Sequence, residues 1–161
     1  DSGGYEKGCT LTQGYWKTHH AYAKNESQKL PWPLPEGAKI WGKTWLELLH
    51  TPPKGDPHVV AAHQLIAAEL NVASGAEPPL EVADAMSKLK VYVNKCEPCA
   101  AGKQQALSLA ELLDDFNNGK VGPGHCDKGG GGPVENYDYN YGVDICNGKV
   151  KAKNEFVLKN K

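Results

Sequence analysis

The chain has 161 residues, of which 40% are hydrophobic and 23% charged, with a formal net charge of −1. That length fits one domain plus tails, since domains run to about 100–200 residues. No apolar run approaches the ~20 residues that cross a bilayer, so membrane insertion is not expected. All 18 basic residues are Lys. Without arginine's planar fork for phosphate and guanine, and with no net positive charge, a dedicated nucleic-acid binder is not expected.

Five cysteines, Cys9, Cys96, Cys99, Cys126 and Cys146, stand mostly in Gly/Pro/Asn-rich sequence. That placement predicts disulfides and an oxidising compartment. The opening Asp1-Ser2-Gly3-Gly4, with neither Met nor an apolar leader, predicts a mature exported product. An odd cysteine count leaves at least one thiol free or bridged to another chain.

Along the chain, Leu11, Tyr15, Trp16, His19 and Tyr22 recur at spacings of three and four, predicting a short amphipathic helix over Thr10–Lys24 with its aromatic face inward. The prolines of Leu30-Pro31-Trp32-Pro33-Leu34-Pro35 predict an extended connector. Thr44-Trp45-Leu46-Glu47 has capping-box spacing and opens a helix ending near His50. Asp56-Pro57 reads as N-cap and first position of the main helix, about Pro57 to Ala73. That helix is apolar around most of its circumference, which places it in the middle of a bundle. Ser74-Gly75 closes it, Leu80–Val93 forms the next helix, and Ser108-x-x-Glu111 caps a third that runs through Phe116 to a stop at Asn118-Gly119.

After Gly119 the pattern changes. Tyr137, Tyr139, Tyr141, Val143 and Ile145 alternate with polar residues, and Asn147-Gly148 is a strong hairpin turn into Lys149–Leu158, where Val150, Phe156 and Leu158 are the apolar positions. The expected fold is mainly α, a disulfide-stapled bundle of four to five helices with a C-terminal β-hairpin or extended tail. Residues 1–8 form an N-terminal extended segment, 9–126 the helical domain, and 127–161 a Gly-rich linker with the C-terminal strands.

Catalytic motifs are missing: there is no nucleophile elbow, dinucleotide fingerprint or phosphate loop. Cys96-Glu97-Pro98-Cys99 reads as a structural bridge, because a redox pair needs a strand-to-helix junction and zinc needs a second close pair. His63, between Val59 and Ile66 on the apolar helix, reads as a core histidine. His125, in Gly-Pro-Gly-His-Cys, is the most suspicious of the six histidines. An EF-hand beginning at Asp114 fails, since Phe116 and His125 fall where oxygen ligands belong. A looser oxygen-rich site from Asp127, Asp138, Asn140 and Asp144 stays open, as does the identity of any metal. No catalytic residue and no cofactor is assigned.

Three blocks in this order resemble a family of bacterial secreted or cell-surface proteins: Cys9-Thr10-Leu11-Thr12-Gln13-Gly14-Tyr15-Trp16-Lys17-Thr18-His19; Thr51-Pro52-Pro53-Lys54-Gly55 with Ala62-His63-Gln64-Leu65-Ile66-Ala67-Ala68; and Leu112-Leu113-Asp114-Asp115-Phe116-Asn117-Asn118-Gly119 with Gly122-Pro123-Gly124-His125-Cys126. The resemblance implies an extracellular or surface setting, supplies no activity, and points to a Cys9–Cys126 pairing. The resulting expectation is a non-enzymatic structural subunit that polymerises head-to-tail with copies of itself, its assembly residues being Tyr137, Tyr139, Tyr141, Val150, Phe156 and Leu158. The alternative is a surface-displayed module in which Trp32, Trp41, Trp45 and the tyrosines bind an extracellular glycan or polymer.

Overall fold

The computed structural model describes residues 8–33, 39–40, 43–93, 103–127, 138–141 and 154–157. Among these are five α-helices: α1 (Gln13–Thr18), α2 (Trp45–Leu49), α3 (Pro57–Ala73), α4 (Leu80–Val93) and α5 (Lys103–Asn117). Two short antiparallel strand pairs accompany them, β1 (Lys39–Ile40) with β2 (Lys43–Thr44), and β3 (Asp138–Tyr141) with β4 (Asn154–Val157).

α3 is the hub, packed against α1, α2, α4 and α5. Asp56 caps its start by accepting from the His58 N–H, and Pro57 occupies the first turn. Its alanines, Ala61, Ala62, Ala67 and Ala68, are fully buried and let neighbouring helices approach closely. Leu65, Ile66 and Leu70 are buried as completely, each stabilising the fold by about 1.5–3 kcal/mol through removal from water. Glu69 is buried on the same helix, and its Oε2 lies 3.4 Å from Lys90 Nζ of α4. One contiguous core runs from Leu11 to Cys126.

The capping box before α2 is complete. The Thr44 hydroxyl accepts from the Glu47 N–H at 3.0 Å, and Glu47 Oε1 accepts from the Thr44 N–H at 2.7 Å.

Three sequence expectations need correction. The first helix spans only Gln13–Thr18 rather than Thr10–Lys24. Thr10 is drawn into a bridge with His125, and Thr12 becomes the N-cap, accepting from the Tyr15 N–H. At the other end the Thr18 hydroxyl and His19 Nδ1–H turn back onto the Tyr15 carbonyl, and His19 has left the helical region. Tyr22, expected inward, is therefore off the helix and 74% exposed. The last helix begins at Lys103, five residues before Ser108, which lies inside it rather than capping it. Its end agrees with expectation: Gly119 takes a positive φ of 81° just past Asn117.

The β3–β4 register pairs Asp138 with Val157, Tyr139 with Phe156, Asn140 with Glu155 and Tyr141 with Asn154. The pairing is centred on Asn147-Gly148. Those two residues, like Tyr137, Val150 and Leu158, lie outside the described residues.

Candidate functional site

The first and third sequence blocks meet along one seam beside α3, and the second is tied to it through Gln64. Cys9 and Cys126 form a disulfide with Cα atoms 5.0 Å apart, joining positions 117 residues apart in sequence. Beside it Thr10 and His125 make a parallel β-bridge. The Thr10 N–H donates to the Gly124 carbonyl, and the Cys126 N–H donates to the Thr10 carbonyl, both at 2.9 Å. His125 Nδ1–H donates to the Cys126 carbonyl at 2.7 Å.

This strap is riveted to the bundle by Asn71, fully buried near the end of α3. Asn71 Oδ1 accepts from the Leu11 N–H at 2.9 Å and from the Trp16 indole N–H at 3.2 Å. Its amide nitrogen donates to the Leu11 carbonyl at 2.8 Å and to Asn117 Oδ1 at 2.9 Å. Asn117 in turn donates to the Gln64 carbonyl and to Gln64 Oε1. One side chain thus offers Leu11 the donor and acceptor that a neighbouring strand would have offered, and closes the edge of the strap. A second rivet is the Trp32 indole N–H, which donates to the carbonyls of Trp16 and His19 at 3.1 Å each.

The histidines divide by environment. His63 is buried on α3, where its Nε2–H donates to the Leu48 carbonyl. Burial pushes its pKa below the ordinary histidine value, and nearby Lys17 pushes it the same way, against the opposing effect of carbonyl contacts from Leu48 and Thr51. His19 stacks on Tyr15 with ring centroids 3.8 Å apart. His20 is buried edge-on to Trp32 and to His50. His58 stacks on Tyr92 and holds Asp56 Oδ1 at 2.9 Å from its Nδ1. Hydrogen bonds from the His58 ring and backbone N–H hold the Asp56 carboxyl below the usual range. Asp56 is thereby committed to capping α3.

Of the predicted site residues, Cys9 and Cys126 are brought together, while Cys96, Cys99 and Cys146 lie outside the described residues. Tyr139 and Tyr141 fall in β3 and Phe156 in β4. The aromatic platform of the binding alternative loses two members, because Trp32 and Trp45 are buried; Trp41 lies outside the described residues. Asp114 accepts from Asn118 at the end of α5, and Asp115 lies 3.9 Å from Lys120. Among the described residues no group of three or more His, Cys, Asp or Glu side chains is placed to hold a metal ion. Asp138 and Asn140 of the looser acidic set fall in β3, and Asp144 lies outside the described residues.

Sequence reasoning missed Asn71, Asn117 and Gln64 as a connected set. Asn71 on an otherwise apolar helix face was the available signal, since a buried amide needs partners. The network consists of amides, an indole and backbone groups, and its hydrogen bonds fasten the strap and the end of α5 to α3. No family model, curated protein or solved structure matches the chain.

Proposed function

We propose that the chain is a non-enzymatic extracellular structural subunit that assembles with copies of itself through its terminal segments. The observation that carries this reading is the β3–β4 pair, a sheet of only two strands among the described residues. Two strands alone are marginally stable in water, and a sheet gains stability from a third strand or a covering surface. A neighbouring subunit supplies that surface in an open head-to-tail assembly. Tyr139, Tyr141 and Phe156, with Tyr137, Val150 and Leu158, are the contact residues under this reading.

Two further observations support it. Residues of the first and third sequence blocks hold the domain together, as the Asn71 and Cys9–Cys126 contacts illustrate, a role that fits a structural subunit. With Cys9 and Cys126 paired, three cysteines remain, an odd number that leaves at least one free or available to a second chain. The disulfide also fits export to an oxidising compartment.

The test is sedimentation and negative-stain microscopy of unreduced protein over a wide concentration range, beside a chain lacking residues 149–161. Concentration-dependent fibres that vanish on truncation are expected. A full-length chain that stays monomeric, with truncation changing nothing, refutes the proposal. The glycan- or polymer-binding alternative keeps one observation in its favour, Tyr22 standing 74% exposed beside the His20 ring. Tyrosine and tryptophan fluorescence unchanged across a glycan panel would dismiss it.

A further inference from the structure

The strap has a directional property that the assembly reading does not use. In a parallel bridge both strands run the same way, so the chain enters at Gly8 at one end of the strap and leaves at Asp127 at the other. A pull applied to these two exits acts along the strands. It loads the Thr10 and Cys126 hydrogen bonds in shear, together rather than one after another, and the Cys9–Cys126 bond lies across the same line. Everything from α1 to α5 lies inside the loop that this disulfide closes. Fully extended, that loop would span about 420 Å at ~3.6 Å per residue. Its ends are held 5.0 Å apart.

We infer that the Cys9–Cys126 strap is a load-bearing tie, through which tension between the two terminal segments crosses the domain without stretching the helical bundle. The ligand in this case is mechanical: a second copy of this chain on either side. The inference rests on the proposed assembly for its use, although the load path itself is a property of one chain. Leu11 and Gly8 root the strap on α3, through Asn71 and through the Ser74 carbonyl, so the bundle orients the tie.

The test stretches the full unreduced chain between handles attached at its two ends in an optical trap. The 43 residues outside the disulfide release about 150 Å at ~3.6 Å per residue. No further step is expected until a phosphine reductant is flowed in, when about 420 Å more is released. An unreduced chain that yields the long step overturns the inference. Because reduction is made on the folded molecule, the result does not depend on a cysteine variant folding. Fibres pulled by a force probe give the second readout. Reduced fibres should extend by about 420 Å more per subunit than unreduced ones before breaking; equal extension of the two overturns the load path. A preparation that never forms fibres refutes the assembly proposal alone, and the single-chain traces still decide whether the strap carries load.

Discussion

Replacing Asn71 with Ala is the sharpest test of how the seam is fastened. The side chain makes four hydrogen bonds in a fully buried position, two as acceptor and two as donor. Truncation leaves the Leu11 N–H and carbonyl, the Trp16 indole N–H and Asn117 Oδ1 facing a cavity. A buried polar group left unsatisfied costs about 1–3 kcal/mol, and a water entering the space recovers part of that. The expected loss is therefore about 4 kcal/mol, a large fraction of the ~5–15 kcal/mol that holds a domain together. Urea unfolding of the unreduced protein, followed by far-ultraviolet circular dichroism and tryptophan fluorescence, reads the loss as a lower midpoint at unchanged slope. Asn71→Asp should cost a comparable amount, because a carboxylate cannot donate to Leu11 and Asn117. Asn118→Ala is the control, since that side chain bonds Asp114 at an exposed helix end. A loss below about 1.5 kcal/mol for Asn71→Ala would refute the view that this amide fastens the strap.

Stability should fall as pH drops below the ordinary histidine value of about 6.5. His63 is held neutral when folded, so the unfolded chain takes up its proton first, and the loss continues until pH passes the lowered folded value. In His63→Gln this part of the pH dependence of the urea midpoint should disappear. Gly119→Ala should destabilise far more than Gly55→Ala. Both positions have a φ of +81°, costing about 1–2 kcal/mol for an L side chain, but only at Gly119 would the new Cβ sit 2.4 Å from the His125 nitrogen. Thermal melts of the two variants compare them directly. Reduction of Cys9–Cys126 should lower stability by about 4–5 kcal/mol on the chain-entropy account of a loop this long, measured as the urea midpoint with and without reductant.

Local signals carried the helices with complete punctuation. Asp56-Pro57 set the start of α3, Thr44 and Glu47 set α2, and Gly119 ended α5, because each choice depends on neighbours within four residues. The start of α5 misled for the same local reason: Ser108 and Glu111 have capping spacing, yet the segment from Lys103 was already helical. Tyr22 fitted a helical stripe, but the stripe ended at Thr18, where side-chain hydroxyl and imidazole groups compete for the last carbonyls. The seam lay beyond any such window. Leu11 and Asn71 are 60 residues apart and Asn71 and Asn117 are 46, so only the closed fold makes them one set. The Cys9–Cys126 partnership was legible only through the resemblance of the blocks, since five cysteines do not by themselves name their partners.

The Cys9–Cys126 disulfide joins one of the first parts of the domain to be synthesised to the last. At about 5–20 residues per second, Cys9 is synthesised roughly 6–23 s before Cys126. In that interval Cys96 and Cys99 appear, and Cys9 stays available for Cys126 only where those two join each other, where oxidation waits for α3 and α5, or where early bridges are reshuffled. The Asn71 network supplies a preference for the native pair in such reshuffling, since its hydrogen bonds hold Leu11 against α3 without involving the sulfurs. Expression in a host without disulfide isomerase should accordingly give soluble chains with mixed bridges, resolved by non-reducing peptide mapping.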